Sequence, residues 1–265
     1  MATYLDRILD AHRTAASSDA RSLDALVDAA GSMAPTRGFA AALTASVATA
    51  GPGGVAVIAE IKRRSPSKGA LAPDLDPVAL ARSYEAGGAA CLSVLTDVEF
   101  FGGTADDLAA ARGACGLPVL RKDFTVSALD VVDARLMGAD AVLLIAAALD
   151  DAELRDFSAL ARQLGLDALV EIHDEAELDR AVAVGADLVG VNQRDLVTFQ
   201  VDTARAVRMA PQMPEGVVRV AESGVTGPAD ARLLAEAGYH AVLVGELLVT
   251  SGDPAAGVAA LRAPS

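Results

Sequence analysis

The sequence predicts an α/β protein: a single (β/α)8 TIM barrel with an N-terminal helical extension, which three observations support. Eight short, continuous apolar runs, at about 55–61, 89–95, 117–121, 140–146, 167–172, 187–192, 217–221 and 240–245, are separated by segments of helical periodicity. Strands that are apolar on both faces, each followed by a helix, are what a parallel sheet covered by helices requires. One helix-to-strand joint also recurs, in EAGGAACLSVL, LMGADAVLLI, AVGADLVGV and EAGYHAVLVG, with glycine at the helix end and an apolar strand just after it. That recurrence reads as repetition of a βα unit. Eight units fit a closed barrel, whereas an open doubly wound sheet has fewer strands and a glycine-rich fingerprint; neither GxGxxG nor GxxxxGK[ST] occurs.

Taken in order, residues 1–50 form the extension and 51–265 the barrel. Tyr4, Leu5, Ile8 and Leu9 are spaced as one helical face and Leu23, Leu26 and Val27 as another, with a break at Ser17, Ser18 and Asp19. A turn of Gly51, Pro52, Gly53 and Gly54 follows. The first run then reads VAVIAEIKRRSPSKGAL, a buried strand that ends in a Ser/Pro/Gly loop. Glu60 and Lys62 stand two apart and so project from one face. The segments 77–88, 126–138, 151–165 and 227–238 carry helical periodicity between later strands.

Composition narrows the class. The chain has 265 residues, 52% hydrophobic, with no tryptophan and 3% aromatic residues, so its core volume comes from Val, Leu, Ile and Ala. A net charge of −14 disfavours nucleic acid and anionic membranes as partners. An anionic ligand therefore needs a local exception, and Lys62, Arg63, Arg64 and Lys68 supply one. No apolar run approaches the roughly 18 residues of a membrane helix, and the opening MATYLDRILDAHR carries charges where a signal peptide needs an apolar centre. A cytoplasmic location is expected. Cys91 and Cys115 make no disulfide framework and read as packing residues. His12, His173 and His240 lack paired spacing, so neither a metal nor a cofactor is expected.

In barrels of this kind the active site lies at the carboxyl ends of the strands. The first run ends with Glu60 and Lys62, the third with Lys122, the fifth with Glu171 and His173, the sixth with Asn192 and Arg194, and the seventh with Glu222 and Ser223. An ion pair that merely closes a barrel accounts for one such strand end, but not for five. After the seventh and eighth strands come Ser223-Gly224 and Gly245-Glu246. Glycines there let backbone amides approach an anion, at the position where such barrels often bind phosphate. Lysines and carboxylates around a phosphate imply proton-transfer chemistry on a sugar phosphate, with isomerase, aldolase and lyase all open.

Seven segments, VIAEIKRRSPSKG, LSVLTDVEFFGG, LPVLRKDF, ALVEIHDEAEL, GVNQRDLVTFQVD, VAESGV and AVLVGELLV, together closely resemble the indole-3-glycerol-phosphate synthase family of tryptophan biosynthesis, in order and over essentially the whole chain. The resemblance implies a lyase without cofactor that closes 1-(2-carboxyphenylamino)-1-deoxyribulose 5-phosphate to indole-3-glycerol phosphate. It implies Lys122 as general acid, Glu171 with Lys62 and Glu60 as the network for dehydration, and Asn192 and Ser223 as further catalytic residues. Ser65 and Arg194 are then expected at the anthranilate carboxylate, Asn192 at the sugar hydroxyls, and Ser223, Gly224 and Gly245 around the phosphate. Phe124, Leu196, Glu222 and Glu246 complete the expected substrate contacts.

A donor lysine is expected to have its pKa lowered by burial and by cationic neighbours such as Arg121 or Lys62. The extension is expected to lie over the barrel mouth and exclude water. The chain departs from the family at Gln193, where a second asparagine is commoner, at Arg63-Arg64, and at Glu246, where some members carry serine. Two alternatives are a phosphoribosylanthranilate isomerase-like barrel, which would place a cysteine at a strand end, and a non-catalytic sugar-phosphate-binding barrel, whose rim would be eroded. With no long exposed apolar stripe, a monomer is the expectation.

Overall fold

The computed structural model describes residues 3–51, 53–66 and 68–262. Pro52 of the predicted turn, Ser67 of the first strand-end loop, Met1, Ala2 and residues 263–265 lie outside the described residues. Three helices, α1 (Tyr4–Ser17), α2 (Leu23–Gly31) and α3 (Phe39–Ala50), precede the first strand. The start of α1 is written in its sequence: the Thr3 hydroxyl accepts from the Asp6 amide, and the Asp6 carboxylate accepts from the Thr3 amide.

All eight predicted runs become strands. The first is β1 (Ala56–Ile61), followed by a small antiparallel hairpin, β2 (Arg64–Ser65) and β3 (Gly69–Ala70). Then come β4 (Cys91–Leu95), β5 (Val119–Lys122), β6 (Ala141–Ile145), β7 (Asp167–Ile172), β8 (Leu188–Asn192), β9 (Val218–Glu222) and β10 (Ala241–Val244). With the hairpin set aside, the strands pair in parallel around a closed ring, β10 against β1. The connecting helices are α4 (Pro77–Ala86), α5 (Val98–Phe101), α6 (Ala105–Ala114), α7 (Ala128–Leu136), α8 (Asp151–Gln163), α9 (Glu175–Ala183), α10 (Arg205–Met209), α11 (Pro228–Glu236), α12 (Glu246–Val249) and α13 (Pro254–Arg262). The β2/β3 hairpin was not predicted, because two-residue strands carry no periodicity. The helix α10 is also too short to show one.

Alternation along each strand divides the core in two. On β1, Val57, Ala59 and Ile61 pack outward among the helices, while Ala56 and Ile58 fill the barrel interior with Leu120, Leu143, Leu169, Val220 and Leu243. The same inward phase continues along the strands to Glu60, Lys122, Glu171, Asn192 and Glu222. Parallel strands all end at one rim, so these polar positions converge there.

The extension divides its work rather than covering the mouth as a unit. On α1, the Tyr4 ring meets Phe100 and Phe199 edge-on, at 5.9 and 5.4 Å between centroids, and His12 reaches Asp97; all three partners follow strand carboxyl ends. Helix α2 packs outside, against α7. On α3, Phe39 and Leu43 are fully buried in the interior cluster with Ala56, Cys91 and Leu188, closing the amino end of the barrel. The reason is a difference of face: α3 presents two large apolar side chains suited to a floor, whereas α1 also carries the polar group that meets the rim. Among the described residues, no helix is long and apolar enough to cross a membrane.

Candidate active site

A cavity of about 610 Å³ opens at the carboxyl ends of the strands. Its walls include Glu60, Lys62, Ser65, Lys122, Phe124, Glu171, Asn192, Arg194, Leu196, Glu222, Ser223, Gly224, Gly245 and Glu246. Of the four cations expected to meet an anion, Lys62 and Lys68 line it, whereas Arg63 pairs with Asp107 and Arg64 donates to the Val98 and Glu99 carbonyls. Its size suits a sugar phosphate carrying one aromatic ring.

The centre of the cavity is a cluster of buried ionisable groups. Lys122 Nζ lies 3.7 Å from Glu171 Oε2, and Asn192 Nδ2 donates to Glu171 Oε1 at 3.1 Å. At the end of β1, Lys62 pairs with Glu60, two residues before it. Burial alone would pull the Lys122 ammonium down, but Glu171 first, then Glu222 and Glu60, outweigh it and hold the lysine above its ordinary value. The expected lowering is therefore overturned. Arg121, the cation next to Lys122 in sequence, faces outward and donates to Asp123, Thr96 and the Asp130 carbonyl. Neighbours on a strand point to opposite faces, so the charges around Lys122 come from other strands and are negative.

The carboxylates separate in the opposite sense. Burial pushes Glu171 up, but Lys122, then His173, with hydrogen bonds from Asn192 and Glu222, hold it below its ordinary value. Burial and then the negative charge of Glu171 push Glu222 well above the carboxylate range. One group is thus an ionised acceptor and its neighbour a neutral acid that donates to it, the pattern of two carboxyls that cannot both ionise.

Backbone conformation is unusual at the expected phosphate end. Ser223 has φ +65° and Gly224 φ +75°. A left-handed non-glycine residue costs energy and is a pointer to function. Glu246 pairs with Lys68 at 3.5 Å, both side chains being exposed, so the acid is drawn toward the loop after β1. The Arg194 guanidinium donates to the Phe199 carbonyl at 3.1 Å and the Arg194 amide to Asn192 Oδ1 at 3.0 Å, tying this loop to the centre. Ser65 Oγ is buried without a hydrogen-bond partner among the described residues.

Sequence reading missed several residues here. Asp97, Asp123 and Phe199 line the cavity, and Gly190 admits the Glu222 carboxyl where a β-carbon would overlap Glu222 Oε1. A glycine inside the apolar run LVGVN is the signal that could have found the last of these. His12, Asp97 and Asp123 converge closely enough to hold a metal ion, but each is already engaged. Asp97 accepts from the Phe100 and Phe101 amides and bonds His12, and Asp123 is held by Arg121 and Thr96.

A family model described as Indole-3-glycerol phosphate synthase matches residues 5–261. The chain belongs to the indole-3-glycerol phosphate synthase family. The resemblance read from seven sequence segments is thereby borne out. An indole-3-glycerol phosphate synthase from Laribacter hongkongensis (strain HLHK9) is 50% identical over 266 residues, covering 99% of this chain and 100% of its own length. Another of the same name, from Nocardioides sp. (strain ATCC BAA-499 / JS614), is 58% identical over 201 residues, covering 76% of this chain and 77% of its own. Among solved structures, 3-hexulose-6-phosphate synthase superposes with TM-score 0.62 at 19% identity, covering 78% of this chain and 98% of its own. Thiamine phosphate pyrophosphorylase from Pyrococcus furiosus gives TM-score 0.59 at 16% identity, covering 80% and 95%. These two carry the barrel alone across family boundaries.

Proposed function

We propose that the chain closes 1-(2-carboxyphenylamino)-1-deoxyribulose 5-phosphate to indole-3-glycerol phosphate in tryptophan biosynthesis, as a decarboxylating lyase, and that the clustered residues divide the proton transfers. The observation that supports this most is the approach of Lys122 Nζ to Glu171 Oε2, 3.7 Å apart inside one cavity, with the lysine kept protonated and the glutamate ionised.

In the first step the ring carbon bearing the carboxylate attacks the ribulose carbonyl carbon. The carbonyl oxygen becomes an alkoxide and takes a proton from Lys122, whose carboxylate neighbours hold the ammonium in place. The carboxylate then leaves as carbon dioxide, and its bonding electrons restore the aromatic ring. Dehydration follows: Glu171 accepts a proton from the carbon next to nitrogen, and the hydroxyl leaves as water with a proton from the Lys62–Glu60 pair. Glu222 stays neutral and donates to Glu171, while Asn192 fixes the other oxygen and offers its remaining capacity to a sugar hydroxyl. Ser65 and Arg194, both in the cavity wall, take the anthranilate carboxylate in this reading. Phe124 and Leu196 supply apolar wall for the ring. The backbone of Ser223, Gly224, Gly245 and Glu246 takes the phosphate.

The isomerase alternative needs a cysteine at the rim. Cys91 instead lies buried at the barrel floor, its thiol against the Phe39 carbonyl and pushed upward by burial. The silent-barrel alternative needs an eroded rim, and the acid, base and amide are all present. We read the protein as a cytoplasmic monomer without nucleic-acid or membrane partners. The direct test mixes pure protein with the carboxyphenylamino-deoxyribulose phosphate, in buffer without added metal, and follows indole fluorescence; no signal above a heat-treated control would refute the activity.

A further inference from the structure

Behind the base stands a histidine that the mechanism leaves without a task. His173 follows β7, two residues beyond Glu171 and on the same face. Its Nε2 lies 3.7 Å from Glu171 Oε1 and has no hydrogen-bond partner among the described residues, although the atom is buried. The other ring nitrogen, Nδ1, lies 3.1 Å from Glu177 Oε2, and that same oxygen accepts from the His173 amide at 2.7 Å.

Glu177 is itself fixed in the first turn of α9, where the Asp174 carboxylate accepts from its backbone amide at 2.9 Å. The chain of contacts therefore runs from a helix end, through Glu177 and the imidazole, to the carboxylate that faces Lys122 with its other oxygen. Such a carboxylate–histidine arrangement fixes the orientation of the ring.

We propose that His173, anchored by Glu177, is a positioning residue for the reaction, holding Glu171 in place and in its ionised form through the oxygen that Lys122 does not face. The inference rests on Glu171 being the base of the proposed mechanism. The charged and polar groups around the pair are few. Glu171 from β7, Glu177 from α9 and Arg205 from α10 face His173, while Lys122 from β5, Asn192 from β8 and Glu222 from β9 face Glu171. Glu177 and Glu171 outweigh both burial and Arg205, so the imidazole holds its proton more firmly than an ordinary histidine. Lys122 is shared among Glu171, Glu222 and Glu60, and His173 adds a second cation beside Glu171 while Glu177 holds its other nitrogen.

The test compares the pH dependence of kcat for the intact chain and for His173→Gln, Glu177→Gln and Glu171→Gln. Removing a positive charge from beside a carboxylate raises its pKa. The acid limb of His173→Gln should therefore move to higher pH by about one unit, with KM changed by less than about twofold. Glu177→Gln removes the anchor but leaves the imidazole protonated where Glu171 titrates, so kcat should fall several-fold without an upward shift of the limb; this keeps the role testable if His173→Gln does not fold. An acid limb unmoved in a folded His173→Gln, or, where only Glu177→Gln folds, a kcat equal to the parent's in that variant, with Glu171→Gln inactive, overturns the positioning role. Near-normal turnover by Glu171→Gln overturns the base assignment, and this inference with it.

Discussion

The carboxyl group of Glu222 occupies the space that a side chain at residue 190 would fill: a β-carbon built on Gly190 would overlap Glu222 Oε1 and come within 3.2 Å of Leu169 Cδ1. Gly190 lies inside β8, where glycine weakens a strand, and it is the absent side chain that lets a neutral acid lean from β9 toward Glu171. Gly190→Ala should keep the barrel, cost about 1–3 kcal/mol of stability through overpacking, and lower kcat by displacing Glu222. Denaturant unfolding and steady-state kinetics on one preparation measure both. A variant of normal kcat would separate Glu222 from the chemistry.

Glu222 also sets a pH dependence. A carboxyl whose pKa is raised by folding binds more protons folded than unfolded, so stability falls as pH rises from the ordinary glutamate value of about 4.3 through the raised one. Glu222→Gln cannot ionise and escapes that loss. The variant should gain stability relative to the parent as pH increases across this range; urea titrations at several pH values would show it, and parallel stability curves would contradict it.

Lys122 is expected to be indispensable to turnover and dispensable to binding. Lys122→Met keeps the stem and removes the proton donor, which should lower kcat by at least about 10²-fold. The variant should still bind the substrate in equilibrium fluorescence titration. Indole formed at the parent rate would remove Lys122 from the role of acid.

On α1, His12 Nε2 lies 2.9 Å from Asp97 Oδ2 and 3.9 Å from Asp123 Oδ1. Burial lowers its proton affinity, but the hydrogen bond with Asp97 and the charges of Asp123, Asp97 and Asp130 more than reverse this, so its pKa is raised. The stabilisation is fully present below the ordinary histidine value of about 6.5 and is lost as pH rises through the raised value. The Tm difference between parent and His12→Asn should therefore be largest in mild acid and shrink with rising pH. A difference independent of pH would mean that His12 acts by packing, against Phe124.

The phosphate should contribute strongly to affinity. Backbone amides of Ser223, Gly224, Gly245 and Glu246 bonded to an anion are each worth about 1.5–3 kcal/mol, so a dephosphorylated analogue should bind at least about tenfold more weakly. Calorimetry with the two compounds decides this, and equal affinity would place the phosphate elsewhere.

The sequence by itself determined the ring of strands and which residues reach its rim. Runs apolar on both faces fit only a sheet covered on both sides, and parallel strands all end at the same side. Glu60, Lys122, Glu171, Asn192 and Glu222 could therefore be named as neighbours although consecutive members stand 21 to 62 residues apart along the chain. Seven segments in order also named the family before any coordinate.

What only the tertiary structure decided is the charge each of these groups carries. Lys122 was expected to be depressed by Arg121, its neighbour in sequence; in the folded chain Arg121 turns outward and three carboxylates from distant strands surround the lysine. The separate tasks of α1 and α3 were hidden for the same reason. Electrostatic energy depends on distance through space and on burial, and neither is a property of position along the chain.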